Sequence, residues 1–278
     1  MILFIFEGGR REPALYKTMK YLFLSNFLQN DIIVSYCNNI YSLYQKMREL
    51  DVFGGAADIV SVLKQLTSNQ NQNDELSKIK IRDEISEIYL FFDYDLKKQD
   101  NFNRLSVKEQ NDQIRELLAY FNNETDKGKL FIDYPMVESI RYFKNRLPDE
   151  DYFNYLTDIH VGKKFKEEVN KVSAYKNLRF ILFDLDKKNE IKLPKNSNNE
   201  IDEEKINEIK SNWIHVKDLN IKKANYICSQ INEIPIKKQE ISQINIFSNQ
   251  LKRYVKKEKV AILNSFPLFL YEYLPLNK

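Results

Sequence analysis

"ILFIFEGGRREP", from Ile2 to Pro13, joins a strand signal to a helix signal through two glycines. An apolar run ends in Glu7, passes through Gly8 and Gly9, and meets Arg10, Arg11 and Glu12 before a proline. A strand apolar on both faces suits the centre of a parallel sheet covered by helices. Pro13 suits the first turn of a helix, and Leu15, Met19, Leu22 and Phe23 then recur at helical spacing. The stretch therefore reads as strand, turn, helix, with Glu7 delivered to the C-terminal edge of the strand.

Outward from there the pattern repeats. "DIIVSYC" reads as a second strand, followed by a helix from about Ile40 to Leu50 through Tyr41, Tyr44 and Met47. Gly54 and Gly55 precede another helix in "GGAADIVSVLKQL", and "TSNQNQNDELSK" reads as a polar loop. "EISEIYLFFDYD" is an apolar strand ending in Asp93 and Asp95, "NDQIRELLAYF" an amphipathic helix, and "GKLFIDYPMVESI" a fourth strand and turn, with Asp133 as a loop acid. Beyond Glu138 the segments "SIRYFKN", "FNYLTDI" and "KKFKEEVNKV" read as helical, as do two longer stretches near the C-terminus. "DKKNEIKLPKNSNNEIDEEK" is a polar linker or exposed loop. The expectation is an α/β parallel sheet flanked by helices over residues 1–145 and a mainly helical region over 146–278. In that second region Ile246, Leu251, Val255, Val260, Ile262, Leu263, Phe266, Leu268, Phe269 and Leu270 should be core, packing it on the first.

Composition narrows the function. With 278 residues, 43% hydrophobic and 13% aromatic, the chain buries a substantial core, and 43 basic against 40 acidic residues give a formal charge of only +3. That charge predicts no basic coat for nucleic acid, so any phosphate contact must be local. Cys37 and Cys228 form no CxxC, and His160 and His215 are the sole histidines, so neither a disulfide framework nor a zinc site is suggested. No signal peptide and no run of about 18 apolar residues is evident, and a cytoplasmic protein without membrane contact is expected.

In an open parallel sheet, ligands gather outside the carboxyl ends of the strands. Glu7, Asp93 and Asp95 fall at such ends and Glu138 is counted with them, and parallel neighbours lie about 4.8 Å apart, so these acids can converge on one ion. Like charges raise one another's pKa until a cation neutralises them. Oxygen-only ligation favours Mg²⁺ or Mn²⁺ over zinc, which is the chemistry of phosphodiester hydrolysis. Gly8 and Gly9 let the backbone turn close to a phosphate, with Arg10 and Arg11 placed to pair with it and Lys97 and Lys98 following the second acidic pair. Glu12 equally suits the first turn of a helix and Glu138 a helix cap. A rival acidic pair, Asp184 and Asp186, ends the similar run "NLRFILFDLDKK" but leads into a polar tract.

A Glu-Gly turn after the first strand and a DxD after a later one resemble the TOPRIM domain of topoisomerases, primases and bacterial phage-defence nucleases. "FIFEGGRREPALY" is similar to the EGxxTE-type opening of RloB-like and OLD-family nucleases, with Arg11 where that opening has threonine, and "YPMVESIRYF" resembles their later acidic segment. The resemblance implies a Mg²⁺-dependent nuclease for DNA or RNA acting in anti-phage defence. Glu7, Glu12, Asp93, Asp95 and Glu138 would hold the metal, and Arg10, Arg11 and Lys97 the phosphate. No GxxxxGK[ST] motif occurs, so the resemblance implies a separately encoded ABC-type or AAA-type ATPase partner docking on the helical half, and it admits a homo-oligomer. A catalytically silent TOPRIM-like binding subunit is the alternative. A receiver-type phosphoacceptor fold needs an acidic pair after the first strand, where Glu7 stands alone.

Overall fold

The computed structural model describes residues 1–25, 28, 30–67, 76, 79, 82–98, 105–175 and 191–274. Four parallel strands form the sheet: β1 (Ile2–Phe6), β2 (Asp31–Ser35), β3 (Glu87–Asp93) and β5 (Gly128–Asp133), with the short β4 (Asn122–Asn123) antiparallel at one edge. Their order is β2-β1-β3-β5-β4. From β1 the chain crosses to β2 on one side, through α1 (Arg11–Met19). Later crossovers, through α2 (Ile40–Glu49), α3 (Ile59–Thr67) and α4 (Val107–Tyr120), run to the other side. Crossovers of one hand and opposite direction place α1 on one face and α2 to α4 on the other. The reversal falls between β1 and β3, and that crevice is where such sheets bind ligands.

Local chemistry fixes the helix starts. Asn39 Oδ1 accepts the Ser42 N–H at 2.9 Å to open α2, and Ser106 with Glu109 forms a reciprocal capping box on α4. Beyond the sheet come β6 (Leu156–Asp158), α5 (Lys164–Val172), α6 (Glu203–Ser229), α7 (Gln243–Arg253), β7 (Lys259–Ala261) and α8 (Ser265–Tyr273). Asp202 caps α6 by accepting the Lys205 N–H at 2.9 Å, and Gln230 ends it in the left-handed region at φ 67°.

The C-terminal residues complete the sheet's cover. Phe266 of α8 stacks on Phe91 with ring centroids 4.7 Å apart, and Phe269 meets Phe4, Tyr89 and Phe131 edge-on. Tyr16 of α1 packs on Phe4 beside them at 4.2 Å. Of the ten apolar residues expected in the core, eight are buried, while Leu251 and Val255 are partly so. The architecture is thus α/β, a five-stranded mostly parallel sheet flanked by helices with a helical C-terminal half.

Two local expectations are corrected. "FNYLTDI" is not a helix: after a 3-10 turn at Tyr152–Asn154, β6 pairs antiparallel with β7, Thr157 opposite Val260. Thr157 is buried between exposed Leu156 and Asp158, the alternation of a strand, and its partner lies too far along the chain to be seen locally. "SIRYFKN" is limited to a 3-10 turn, Val137–Arg141. Asp184, Asp186 and most of "TSNQNQNDELSK" lie outside the described residues.

Candidate active site

Acids from three adjacent strand ends and two following turns meet at the β1/β3 crevice. Glu7 continues the β1 ladder, its N–H donating to Phe91 O at 3.0 Å, and its Oε2 accepts the Asp93 N–H at 3.0 Å. Asp93 closes β3, paired in register with Asp133 at the end of β5, and its Oδ1 accepts the Val137 N–H at 2.8 Å. Asp133 is buried and accepts the Ser265 N–H at 2.7 Å, at the N-terminus of α8, where a carboxylate is favoured. Glu12, in the first turn of α1, is buried and turns back to accept the Gly8 N–H at 3.0 Å. Glu138 is buried as well, pairing with Lys166 Nζ at 3.2 Å through Oε1 while its Oε2 has no hydrogen-bond partner.

The glycines now have distinct roles. A Cβ on Gly8 would lie 2.7 Å and 2.8 Å from the two carboxylate oxygens of Glu12, so the missing side chain is what admits that acid. A Cβ on Gly9 would meet only ordinary contacts, 3.7 Å or more from Ser35 and Cys37.

Electrostatics bind these groups into one unit. Burial, then the charges of Glu12 and Asp95, push Glu7 up to about 8 against the pull of its hydrogen bond from Asp93. Burial and the neighbouring Glu7, Asp133, Glu12 and Glu138 hold Asp93 well above the carboxylate range. Burial raises Asp133 to about 7, opposed by the Ser265 bond and aided by Glu12 and Glu138. Burial, with a smaller push from Glu138, also raises Glu12. Lys166 is the counter-charge: burial works against its ammonium, but Glu138, Asp93 and Glu12 together lift it above its ordinary value. With Glu7 near 8 and Asp133 near 7, a site so rich in raised carboxylates holds protons near neutral pH.

Measured against the sequence, Glu7, Glu12, Asp93 and Glu138 are brought together. Asp95 lies further out, raising Glu7 and ion-paired with Lys97. Lys97 is also held by its backbone, its N–H donating to Gln110 Oε1 at 2.9 Å and its carbonyl accepting from Gln110 Nε2 at 2.9 Å. Arg10 occupies the N-cap position of α1 and Arg11 its first residue, beside Gly8. Glu138 makes no capping bond, so the helix-cap reading fails.

Asp133 is the correction: it is a strand-end acid inside the cluster, not a loop acid. The signal was present, because "LFID" ends an apolar run in an acid as "LFFD" does. Lys166 carried no local signal, being one lysine of an amphipathic helix.

All donors are oxygens, which fits a hard divalent cation, and the partnerless Glu138 Oε2 is an atom such an ion would satisfy. Among the described residues, however, no three acidic, histidine or cysteine side chains are drawn in to the geometry of one ion. No protein-family model matches the chain, and no curated protein or solved structure is detectably similar to it.

Proposed function

We propose that this chain is a divalent-metal-dependent nuclease that hydrolyses phosphodiester bonds of DNA or RNA. The observation that carries the reading is the convergence of Glu7, Glu12, Asp93, Asp133 and Glu138 at the reversal point of the sheet, where burial first and neighbouring carboxylates second raise Glu7, Glu12, Asp93 and Asp133. Glu7, Glu12, Asp93 and Glu138 would hold Mg²⁺ or Mn²⁺, with Asp95 at the rim. A cation bound there supplies Lewis acidity and a more acidic water. Asp133 contributes negative charge from behind, fixed by α8. Arg10, Arg11 and Lys97 bind and orient phosphate oxygens at the mouth, and Lys166 balances the carboxylates and offers an ammonium to the same anionic group. The likeness to TOPRIM defence nucleases points the same way. An anti-phage role under a separately encoded ATPase belongs to this proposal and rests on that likeness alone.

One observation favours the second reading, a catalytically silent binding subunit. Glu7, Glu12, Asp93 and Asp133 each already accept a backbone N–H, an arrangement that is self-sufficient as structure. Titration calorimetry with Mn²⁺ on the wild type and on Asp93→Ala, beside cleavage of labelled DNA and RNA, separates the two. Metal binding abolished by Asp93→Ala together with Mn²⁺-dependent cleavage supports the nuclease; binding without cleavage supports the silent subunit; equal binding by both proteins removes the metal site.

A further inference from the structure

A groove of about 570 Å³ opens beside the acids, between the start of α2 and the segment that follows β3. Its size lies within the range of clefts that hold small organic ligands, about 300–1,000 Å³. Both walls are tied to the acidic pair. Tyr41, on one wall, donates its hydroxyl to the carbonyl of Tyr94, the residue between Asp93 and Asp95, at 3.1 Å. Lys97, on the other, pairs with Asp95 and is clamped by Gln110. A ligand in this groove therefore lies next to the acids.

The lining is of a kind that suits a base rather than a string of phosphates. Tyr36 and Tyr41 supply aromatic rings, and Tyr36 is half-buried with its ring braced on Phe92 at 62° and a centroid distance of 5.7 Å. Asn38, Asn39 and Gln45 supply amides. The carbonyl oxygens of the two asparagines are already occupied in the start of α2, Asn39 Oδ1 by the Ser42 N–H at 2.9 Å and Asn38 Oδ1 by the Asn39 N–H at 2.9 Å and the Ser42 hydroxyl at 3.0 Å. Their amide nitrogens are the groups that remain to donate, and every nucleobase carries acceptors on its edge. Lys46, the other lysine of the lining, is committed to Glu49 at 3.0 Å.

We propose that this groove takes the base of an unpaired nucleotide, with Tyr36 as its stacking platform, so that the chain acts on single-stranded nucleic acid. The inference rests on reading the acid cluster as a phosphodiester-cleaving site. A base in a duplex is stacked and paired, and reaches a recessed ring only when it is unpaired or flipped out. Stacking accepts any base, so the groove selects for single strands without selecting sequence.

Fluorescence anisotropy with a labelled 12-nucleotide oligothymidylate, the corresponding oligouridylate and a duplex of the same length, each in Ca²⁺, tests this on the full chain. The wild type should bind one or both single strands at least ten-fold more tightly than the duplex, and the two strands report whether DNA or RNA is preferred. Tyr36→Leu should weaken that binding by roughly five- to a hundred-fold, the loss of one base stack, while Tyr36→Phe retains it. Gln45→Glu, on an exposed position of the wall, should weaken it without disturbing the fold. Mn²⁺ calorimetry on the same proteins should be unchanged.

Retained Mn²⁺ binding with Tyr36→Leu and Gln45→Glu both binding like the wild type overturns the groove and leaves the metal site standing. Duplex bound as tightly as single strand overturns it as well. Tyr36-dependent single-strand binding without any Mn²⁺ binding would uphold the groove and remove the metal-dependent reading. Binding of neither removes both.

Discussion

Replacing Glu7 with glutamine keeps the acceptor for the Asp93 N–H, now 3.0 Å from Glu7 Oε2, and removes only the charge. In the wild type Glu7 is raised from an ordinary 4.5 to about 8, chiefly by burial. A carboxyl held more protonated in the folded than in the unfolded chain contributes stability that is complete below pH 4.5 and is lost as the pH rises through about 8. Each pH unit across that window costs about 1.4 kcal/mol, so by pH 7 the wild type has lost on the order of 3 kcal/mol that the glutamine variant keeps. Buried Lys223 is pushed well below the lysine range by desolvation and gives a slope of opposite sign, which cancels when the two proteins are compared. Thermal melts in chelator from pH 5 to 8 should therefore show nearly equal midpoints at pH 5. At pH 7 the variant should melt higher by roughly 6–12 °C, at about 2–4 °C per kcal/mol for a chain of this size. Saturating Mn²⁺ should raise the wild type more than the variant at pH 7 and shrink that gap. A difference between the proteins that does not change with pH would refute the buried, mutually repelling cluster.

Other consequences separate the parts of the site and the fold. Gly8→Ala should expel the Glu12 carboxylate and weaken Mn²⁺ binding by about ten-fold or more in calorimetry, whereas Gly9→Ala, with room for its Cβ, should bind like the wild type. Glu138→Ala should lose Mn²⁺ affinity without the cap-type loss of about 1 kcal/mol in chelator melts, because its side chain caps nothing. Phe266→Ala, at a fully buried ring stacked against Phe6 and Phe91, should cost about 3–5 kcal/mol in urea unfolding, showing that the last helix is part of the sheet's core. If it cost less than about 1 kcal/mol, the C-terminal helix would not be what closes that face.

Local features of this fold are legible in the residue order alone. The short, continuously apolar runs "ILFIF" and "IYLFF" that end in acids specify strands buried on both faces, and the spacing after Pro13 and in "NDQIRELLAYF" specifies helices because helical geometry imposes its period on a few neighbouring residues. Parallel crossovers of one hand then place Glu7 and Asp93 at one end of one sheet, so two members of the site were readable before any contact was known. Contacts between distant segments were not readable. Lys166 joins the site because α5 packs against the turn that carries Glu138, and Asp133, whose strand-end place the sequence did signal, is fixed there by the amide of Ser265 far along the chain. The β6–β7 pair was missed for the same reason, since a three-residue strand has too little pattern to declare itself without its partner. Burial made the last decision. Glu12 reads as an ordinary first-turn acid until tertiary packing removes it from water, and that desolvation joins the scattered carboxylates into one titrating cluster.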